Sequence, residues 1–457
     1  MDPVDDDPPR LREPERILIP LFIITLQPHV GPKSILLKSL SQYHISCAAL
    51  RNWVGKGFWA VTDQALFAGT NFLASILLAR WLEPAAYGAF SLTYAVFLLL
   101  GAMHAGLWTE PMLVFGSGRF RKSFAAYQRI LFRSHWCFGA LTALVFLLLT
   151  LGFWTFGEQE IALSFLGLSF AAPTVFYLWL VRRGAYVLLE PRLAALGGGL
   201  YLLLYLGLTI ILLRASMLNA TTAFLAMAVA GLLSAEIIRW RIKDDLDLIA
   251  NENEVRSLHW NYGRWALLAG LFSWVPGNIY YLILPAYHGL EAAARFKALM
   301  NLLMPILHFN GALGQLLVPG MIRALSAGKL RRFALASLAV LTTFALSYWL
   351  LLIALGSKLM EWMYGGKYLE DPTWIIWLGF APVSAAVVAV MSSLLRAIER
   401  PKIVAQIYGL LVVFTFLVGL PLVWVYSLGG SAMTLLFVNA LSALYFSYKV
   451  GSEIKIW

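Results

Sequence analysis

Twelve runs of roughly 20 mostly apolar residues, each bounded by charge, glycine or proline, divide most of the chain, and a run of that length crosses a hydrocarbon layer as a single helix. A backbone in lipid must bond to itself, so these runs predict helices packed side by side. The predicted spans are Phe58 to Arg80, Ala89 to Trp108, His135 to Trp154, Ile161 to Val181, Leu193 to Leu213, Ala223 to Trp240, Trp265 to Leu284, Ala293 to Leu317, Phe333 to Leu355, Trp374 to Leu395, Ile403 to Val425 and Gly429 to Tyr448. The expected fold class is an all-α integral membrane protein. Composition agrees: only 13% of residues are charged, against about 25% in soluble domains. That excludes soluble globular, fibrous and disulfide-rich classes. Cys47 and Cys137 are the two cysteines, too few for a metal cluster or a disulfide framework.

The residues ahead of the first span read differently. Met1 to Arg16 is rich in Asp, Pro and Arg, the pattern of a disordered segment. Ile17 to Leu26 is apolar but short and holds Pro20, and Asp5, Asp6 and Asp7 are unlike the basic start of a signal peptide. The expected organisation is a cytoplasmic tail over 1–57, a first lobe over 58–240, a cytoplasmic linker over 241–264, a second lobe over 265–448 and a cytoplasmic tail over 449–457. Orientation follows from basic residues: 24 Lys and Arg fall on the side of the N-terminus from Arg51 onward, and six on the other. Both ends are therefore expected in the cytoplasm. The net charge of +11 is mostly this topology signal, and no nucleic acid partner is implied.

An internal repeat relates the two sets of six spans. Asn71, Ile76, Leu77 and Ala79 match Asn278, Ile283, Leu284 and Ala286 at a spacing of 207; Leu82, Glu83, Ala85 and Ala86 match Leu290, Glu291, Ala293 and Ala294 at 208. Ala172-Pro173 answers Ala381-Pro382 at 209, and Pro191-Arg192 answers Pro401-Lys402 at 210. An even number of spans per copy points both copies the same way, which gives two six-helix lobes related by a two-fold axis along the membrane normal. Alternating access between such lobes is the expected mode of action.

Polar residues inside spans usually face the bundle interior or a watery cavity. In the eighth span Lys297, Asn301, Met304, His308, Gly311 and Gln315 recur at steps of 4, 3, 4, 3 and 4, one helical face. The first span carries Gln64, Asn71 and Ser75 with Asp63 nearby, and the second carries Thr93, Phe97, His104 and Trp108. Expected cavity residues are thus Lys297, Asn301, His308, Gln315, Asn71, Asn278, His104 and Gln64, with interhelical bonding the competing explanation. Asp63 reads either as an ion-coupling carboxylate or as a helix cap. Arg295, four residues after Glu291, and Arg239, three after Glu236, read as surface ion pairs. No hydrolytic or transferase motif is present, so an enzyme is not expected.

The stretch from Asp63 to Leu73, running into Leu77-Leu78-Ala79-Arg80-Trp81-Leu82-Glu83-Pro84 and Tyr87-Gly88, resembles the opening of bacterial polysaccharide-export flippases of the multidrug, oligosaccharidyl-lipid and polysaccharide (MOP) exporter superfamily. Glu110-Pro111-Met112, Phe115-Gly116 and Gly366-Lys367-Tyr368 resemble that group too. The resemblance implies a MATE-like fold in the bacterial inner membrane. It also implies transfer of an undecaprenyl-diphosphate-linked oligosaccharide from the cytoplasmic to the outer leaflet. Membrane lipids and a polysaccharide polymerase or export machinery are the implied partners, with no cofactor. The related alternative is a proton- or sodium-coupled multidrug or metabolite antiporter, in which Asp63 titrates. An integral-membrane glycosyltransferase is disfavoured by the short outer loops and the repeat.

Overall fold

Proline and asparagine start many of the helices, and glycine stops several. Pro84, Pro191 and Pro401 occupy first-turn positions, where a missing N–H removes no helical bond. Asn219 closes a capping box with Thr222, and Asn251 accepts from the amides of Asn253 and Glu254. Gly365, at φ 63°, adopts the left-handed conformation that ends the helix before it.

The computed structural model describes residues 47–242, 250–368, 372–398 and 400–454. Its helices in chain order are α1 (Cys47–Trp81), α2 (Pro84–His104), α3 (Glu110–Ser117), α4 (Phe124–Thr155), α5 (Gln159–Val187), α6 (Pro191–Arg214), α7 (Ala220–Arg241), α8 (Glu252–Asn278), α9 (Tyr280–His288), α10 (Leu290–Ser326), α11 (Leu330–Tyr364), α12 (Pro372–Gly379), α13 (Ala381–Ala397), α14 (Pro401–Phe414) and α15 (Leu420–Ile454). Single π turns join α2 to α3 (Ala105–Thr109) and α14 to α15 (Thr415–Gly419). The chain divides into two units, Met1–Trp53 and Val54–Trp457. The expectations for residues 1–46 lie outside the described residues. The helix packing, the cavities and the polar contacts all belong to the second unit.

The described residues are all-helical, and the protein is membrane-spanning. Among the described residues nine helical stretches are long and apolar enough to cross a membrane, or ten if α8 and α9, bent by 44°, count as one. The apolar runs of the sequence predict twelve. The stretch Lys402–Ser452 counts once, although the chain turns back at Ser427 (φ 49°, ψ −122°), which brings Gly430 against the Leu422 carbonyl and Gly419 against Thr434. α10 is not in that set.

We call helices α1–α7 the first set and α8–α15 the second, although α8 packs on α2, α3 and the first π turn as well as on α14. Within the first, α5 packs on α2, α4 and α7; within the second, α10 packs on α11 and α13, and α13 on α15. The sets meet where α2 lies along α8 and α10. The interior of the first set is filled by rings. Phe97 stacks on Phe176 at 4.9 Å between centroids, Phe67 on Tyr201 at 5.5 Å and Phe90 on Phe224 at 4.6 Å. The second set carries alanine and serine at many facing positions of α13, and a cavity results.

Candidate functional site

Lys297 sits on α10 where the helix faces the first set, and it is 8% exposed. Its Nζ lies 5.4 Å from the ring centre of Tyr94 on α2 and 5.3 Å from that of Tyr281 on α9. No carboxylate pairs with it among the described residues. Two aromatic faces therefore stand in for a counter-ion, an interaction that strengthens when water is excluded. Asn71, Ser75, Tyr94, Tyr205 and Met304 share with Lys297 a cavity of ≈ 20 Å³, room for about one water. Both helix sets contribute to it.

One turn along α10, the buried Asn301 ties the sets together. Ser75 Oγ donates to Asn301 Oδ1 at 3.0 Å, and Asn301 Nδ2 donates to Tyr87 OH at 3.1 Å and Tyr364 OH at 3.2 Å. Tyr364 OH in turn donates to the Ala298 carbonyl at 3.1 Å. Because Ser75 is already a donor, the 3.0 Å contact between Ser75 and Tyr87 has the phenol donating. Every hydroxyl in this cluster is satisfied, as buried polar groups require. Beyond it, Lys367 Nζ donates to the Leu82 carbonyl at 2.9 Å and Arg80 to the Trp362 carbonyl at 3.4 Å. A Cβ on Gly88 would stand 1.9 Å from the Leu290 carbonyl oxygen, so only glycine permits α2 and α10 to approach this closely. This end of the interface is closed.

Asp63 is fully buried, and its partners all come from α5. Arg182 donates to Oδ1 through Nη2 at 2.6 Å and Nε at 3.1 Å, while Tyr186 OH donates to Oδ2 at 2.7 Å. The guanidinium lies 4.2 Å above the Phe67 ring. Gly198 on α6 approaches so near that a Cβ there would be 3.2 Å from Asp63 Oδ1. The carboxylate is thus an internal strut of the first set. A Cβ on the neighbouring Gly197 would stand 2.1 Å from Ile238, so both of these α6 glycines serve close packing.

Two histidine relays run elsewhere. His135 Nε2 faces the Pro173 carbonyl at 3.1 Å and must donate, so His135 Nδ1 accepts from His104 Nε2 at 3.0 Å. His104 also stacks on Phe176 and Trp108. Likewise His259 Nδ1 donates to the Leu107 carbonyl in the π turn at 2.8 Å, and Nε2 accepts from Tyr127 at 2.6 Å. That relay joins α8 to the first set, flanked by Arg119 with Glu254 and by Arg133 with Glu252 at 3.7 Å.

The expected site residues therefore separate. Lys297 and Asn71 line one cavity, and Asn301 closes it with Ser75. Thr93, Phe97, His104 and Trp108 face the interior of the first set, where His104 pairs with His135. Asn278 bonds to its own helix at the Trp274 carbonyl, 3.1 Å away. Gln64 and His308 are exposed, and the Gln315 side chain lies outside the described residues. The surface pairs Glu291 with Arg295 at 3.6 Å and Glu236 with Arg239 at 3.1 Å form as the spacing predicts. Missed from sequence were Arg182, which falls just past the predicted end of the fourth span at Val181, and the tyrosines around Lys297 and Asn301. Among the described residues no group of His, Cys, Asp or Glu could hold a metal ion.

No protein-family model matches the chain, and no curated protein matches it by sequence. Solved structures do match. An inward-facing multidrug resistance MATE family transporter of the MOP superfamily superposes over 86% of this chain and 98% of its own, at a TM-score of 0.70 and 13% identity. The fold is that of the MATE transporters. An outward-facing structure described in the same terms covers 86% of this chain and 94% of its own at 0.62 and 14%. A MOP superfamily transporter from Pyrococcus furiosus covers 86% and 94% at 0.62 and 13%, and is described as having a binding pocket of reverse polarity that suggests a different function.

Proposed function

We propose that the protein is a flippase that carries an undecaprenyl-diphosphate-linked oligosaccharide across the bacterial inner membrane by alternating access, with both termini in the cytoplasm. The observation that carries this reading is Lys297, a buried cation between the two helix sets with no carboxylate partner among the described residues. A stranded cation in a low-dielectric site is costly until an anion reaches it. A diphosphate headgroup supplies that anion, and the hydroxyl and amide groups of Ser75, Asn71 and Asn301 supply partners for what the phosphate bears. Closure at Asn301 and Gly88, together with the higher superposition on the inward-facing relative, supports a resting state closed toward the Leu82 end. The antiporter reading rests on the description of the similar structures as multidrug transporters; among the described residues the Lys297 cavity has no carboxylate in its lining, and Asp63 is held by Arg182.

The test is reconstitution with a fluorescent undecaprenyl-diphosphate oligosaccharide, scored by protection from a membrane-impermeant lectin. Lys297→Ala should slow transfer more than about tenfold, the worth of one charge-assisted contact. Lys297→Arg should retain part of the rate, because charge persists while shape changes. Arg295→Ala should change little, since its pair with Glu291 is exposed. Transfer by Lys297→Ala at the wild-type rate and abundance would overturn the proposal, as would drug extrusion with no lipid transfer.

A further inference from the structure

α10 is a wall with two sides. Lys297, Asn301 and Met304 face the first helix set, whereas Met300, Leu303 and Leu307 face the interior of the second, where a cavity of ≈ 360 Å³ opens between α8, α10, α13, α14 and α15. Ala385, Ala389 and Ser392 of α13 and Leu435, Asn439 and Ser442 of α15 form the far walls. The equivalent space in the first set is occupied by Phe67, Phe97, Phe176 and Trp179. The cavity thus comes from small side chains at positions where the first set has rings. It continues through Ser273 and Tyr408 into a space of ≈ 420 Å³ and through Leu307, Ala389 and Ser392 into one of ≈ 450 Å³, and Arg396 lines both.

The chemistry of this cleft is graded. Its inner part is hydrocarbon with a few hydroxyls. Among the described residues its mouth has one charge, Arg396, and none of those lining the three spaces is acidic. Asn310, 5% exposed, lines the mouth. Its Nδ2 donates to the Pro382 carbonyl at 3.5 Å, which leaves the buried Oδ1 with no partner. An unpaired buried acceptor is costly, and a ligand that brings a donor removes the cost.

We propose that this cleft is a second binding site, distinct from the Lys297 cavity, for an anionic phospholipid-like amphiphile. The phosphate sits on Arg396, a headgroup hydroxyl donates to Asn310 Oδ1, and the chain lies between α13 and α15. Arginine suits this role because its fork of donors matches phosphate oxygens. The proposal is independent of the flippase reading, since it rests on the opposite face of α10.

The experiment uses the full chain in nanodiscs and a phosphatidylglycerol carrying a photoreactive diazirine in its acyl chain, with the matching phosphatidylcholine as comparison. Labelled peptides are mapped by mass spectrometry. The expected result is labelling at Ala385–Ser392 and Leu435–Ser442, roughly tenfold above phosphatidylcholine, a preference abolished by Arg396→Gln and kept by Arg396→Lys. Ala389→Trp should block it; if that variant melts early, Ser442→Leu, which narrows the cleft from the opposite wall, replaces it. Farnesyl diphosphate should compete and inorganic diphosphate should not. Lys297→Ala should leave the labelling unchanged, which separates this site from the transfer reaction. Equal labelling by both lipids, labelling confined to outward residues such as Trp377 and Leu417, or equal competition by inorganic diphosphate would each overturn the proposal.

Discussion

The buried pair of Asp63 and Arg182 allows two roles for the carboxylate to be separated by measurement. Both groups are dry, with side-chain exposures of 0% and 9%. Breaking such a pair from one side leaves a charge without compensation, at about 3–5 kcal/mol. The two single variants should not be equal. Asp63→Asn strands a guanidinium that still has the Phe67 face 4.2 Å away, a contact worth up to about 2 kcal/mol when desolvated, so its loss falls near the lower bound. Arg182→Met strands a carboxylate with only the Tyr186 hydroxyl at 2.7 Å, so its loss falls near the upper one. Replacing both, as Asp63→Leu with Arg182→Met, removes both desolvation costs and should return stability to within about 1 kcal/mol of the natural chain.

Stability is read by SDS titration in bicelles through tryptophan fluorescence, and lipid-linked sugar transfer is read on the same preparations. A structural strut predicts a large favourable coupling in the double-mutant cycle and a double variant that still transports. A coupling carboxylate predicts a double variant that is stable and inactive. Additive losses in the cycle would refute the strut. So would Asp63→Asn at full stability with transport abolished.

Gly88→Val should force α2 off the Leu290 carbonyl and cost about 1–3 kcal/mol of stability as overpacking. A thiol placed at Ser75, which is 6% exposed, should then react with an impermeant maleimide, whereas with Gly88 intact it should stay shielded. An unchanged, shielded thiol in the valine chain would refute the closure at this end. In a chain freed of Cys47 and Cys137, thiols at Ser357 and Ser326 should label from opposite sides of the membrane, the first from outside; labelling from one side refutes the topology.

Helix positions were legible because burial in lipid demands long apolar runs, and Pro84, Pro191 and Asn219 mark starts through local chemistry alone. The face of α10 that carries Lys297 and Asn301 was legible for the same reason, since a 3.6-residue period is local. What lies across from that face was not. Asp63 and Arg182 are 119 residues apart and Ser75 and Asn301 226 apart, and no periodicity encodes such pairings. Arg182 was also disguised, because sequence ends the fourth span at Val181 while α5 continues to Val187, which moves the arginine from a loop into the packed interior. His104 has the helical spacing of a cavity residue, yet the same spacing serves packing, and only the rings of Phe176 and Trp108 decide between them.

The polar contacts divide by strength in a way that the proposed alternating access requires. Within the first set the Asp63 pair is charged and dry. Between the sets at the Leu82 end, the bonds are neutral amide and hydroxyl pairs or cations on backbone carbonyls: Ser75 to Asn301, Asn301 to Tyr87, Lys367 to Leu82 and Arg80 to Trp362. At roughly 0.6 kcal/mol each, as measured between membrane helices, these come to about 2–3 kcal/mol. At the opposite end the neutral bonds of His259 to Tyr127 and to the Leu107 carbonyl are worth as little each, and the pairs of Arg119 with Glu254 and Arg133 with Glu252 are 61% and 77% exposed at the arginine, where screening leaves about 0–1 kcal/mol apiece. A few kcal/mol is the gap across which a bound ligand can shift a two-state population, because a preference of about 5.5 kcal/mol already takes it from one state to the other. Strong pairs at both interfaces would lock the molecule, and weak pairs inside each set would let it deform instead of rock. An ion pair engineered across the Leu82 end should therefore slow transport by holding that end shut.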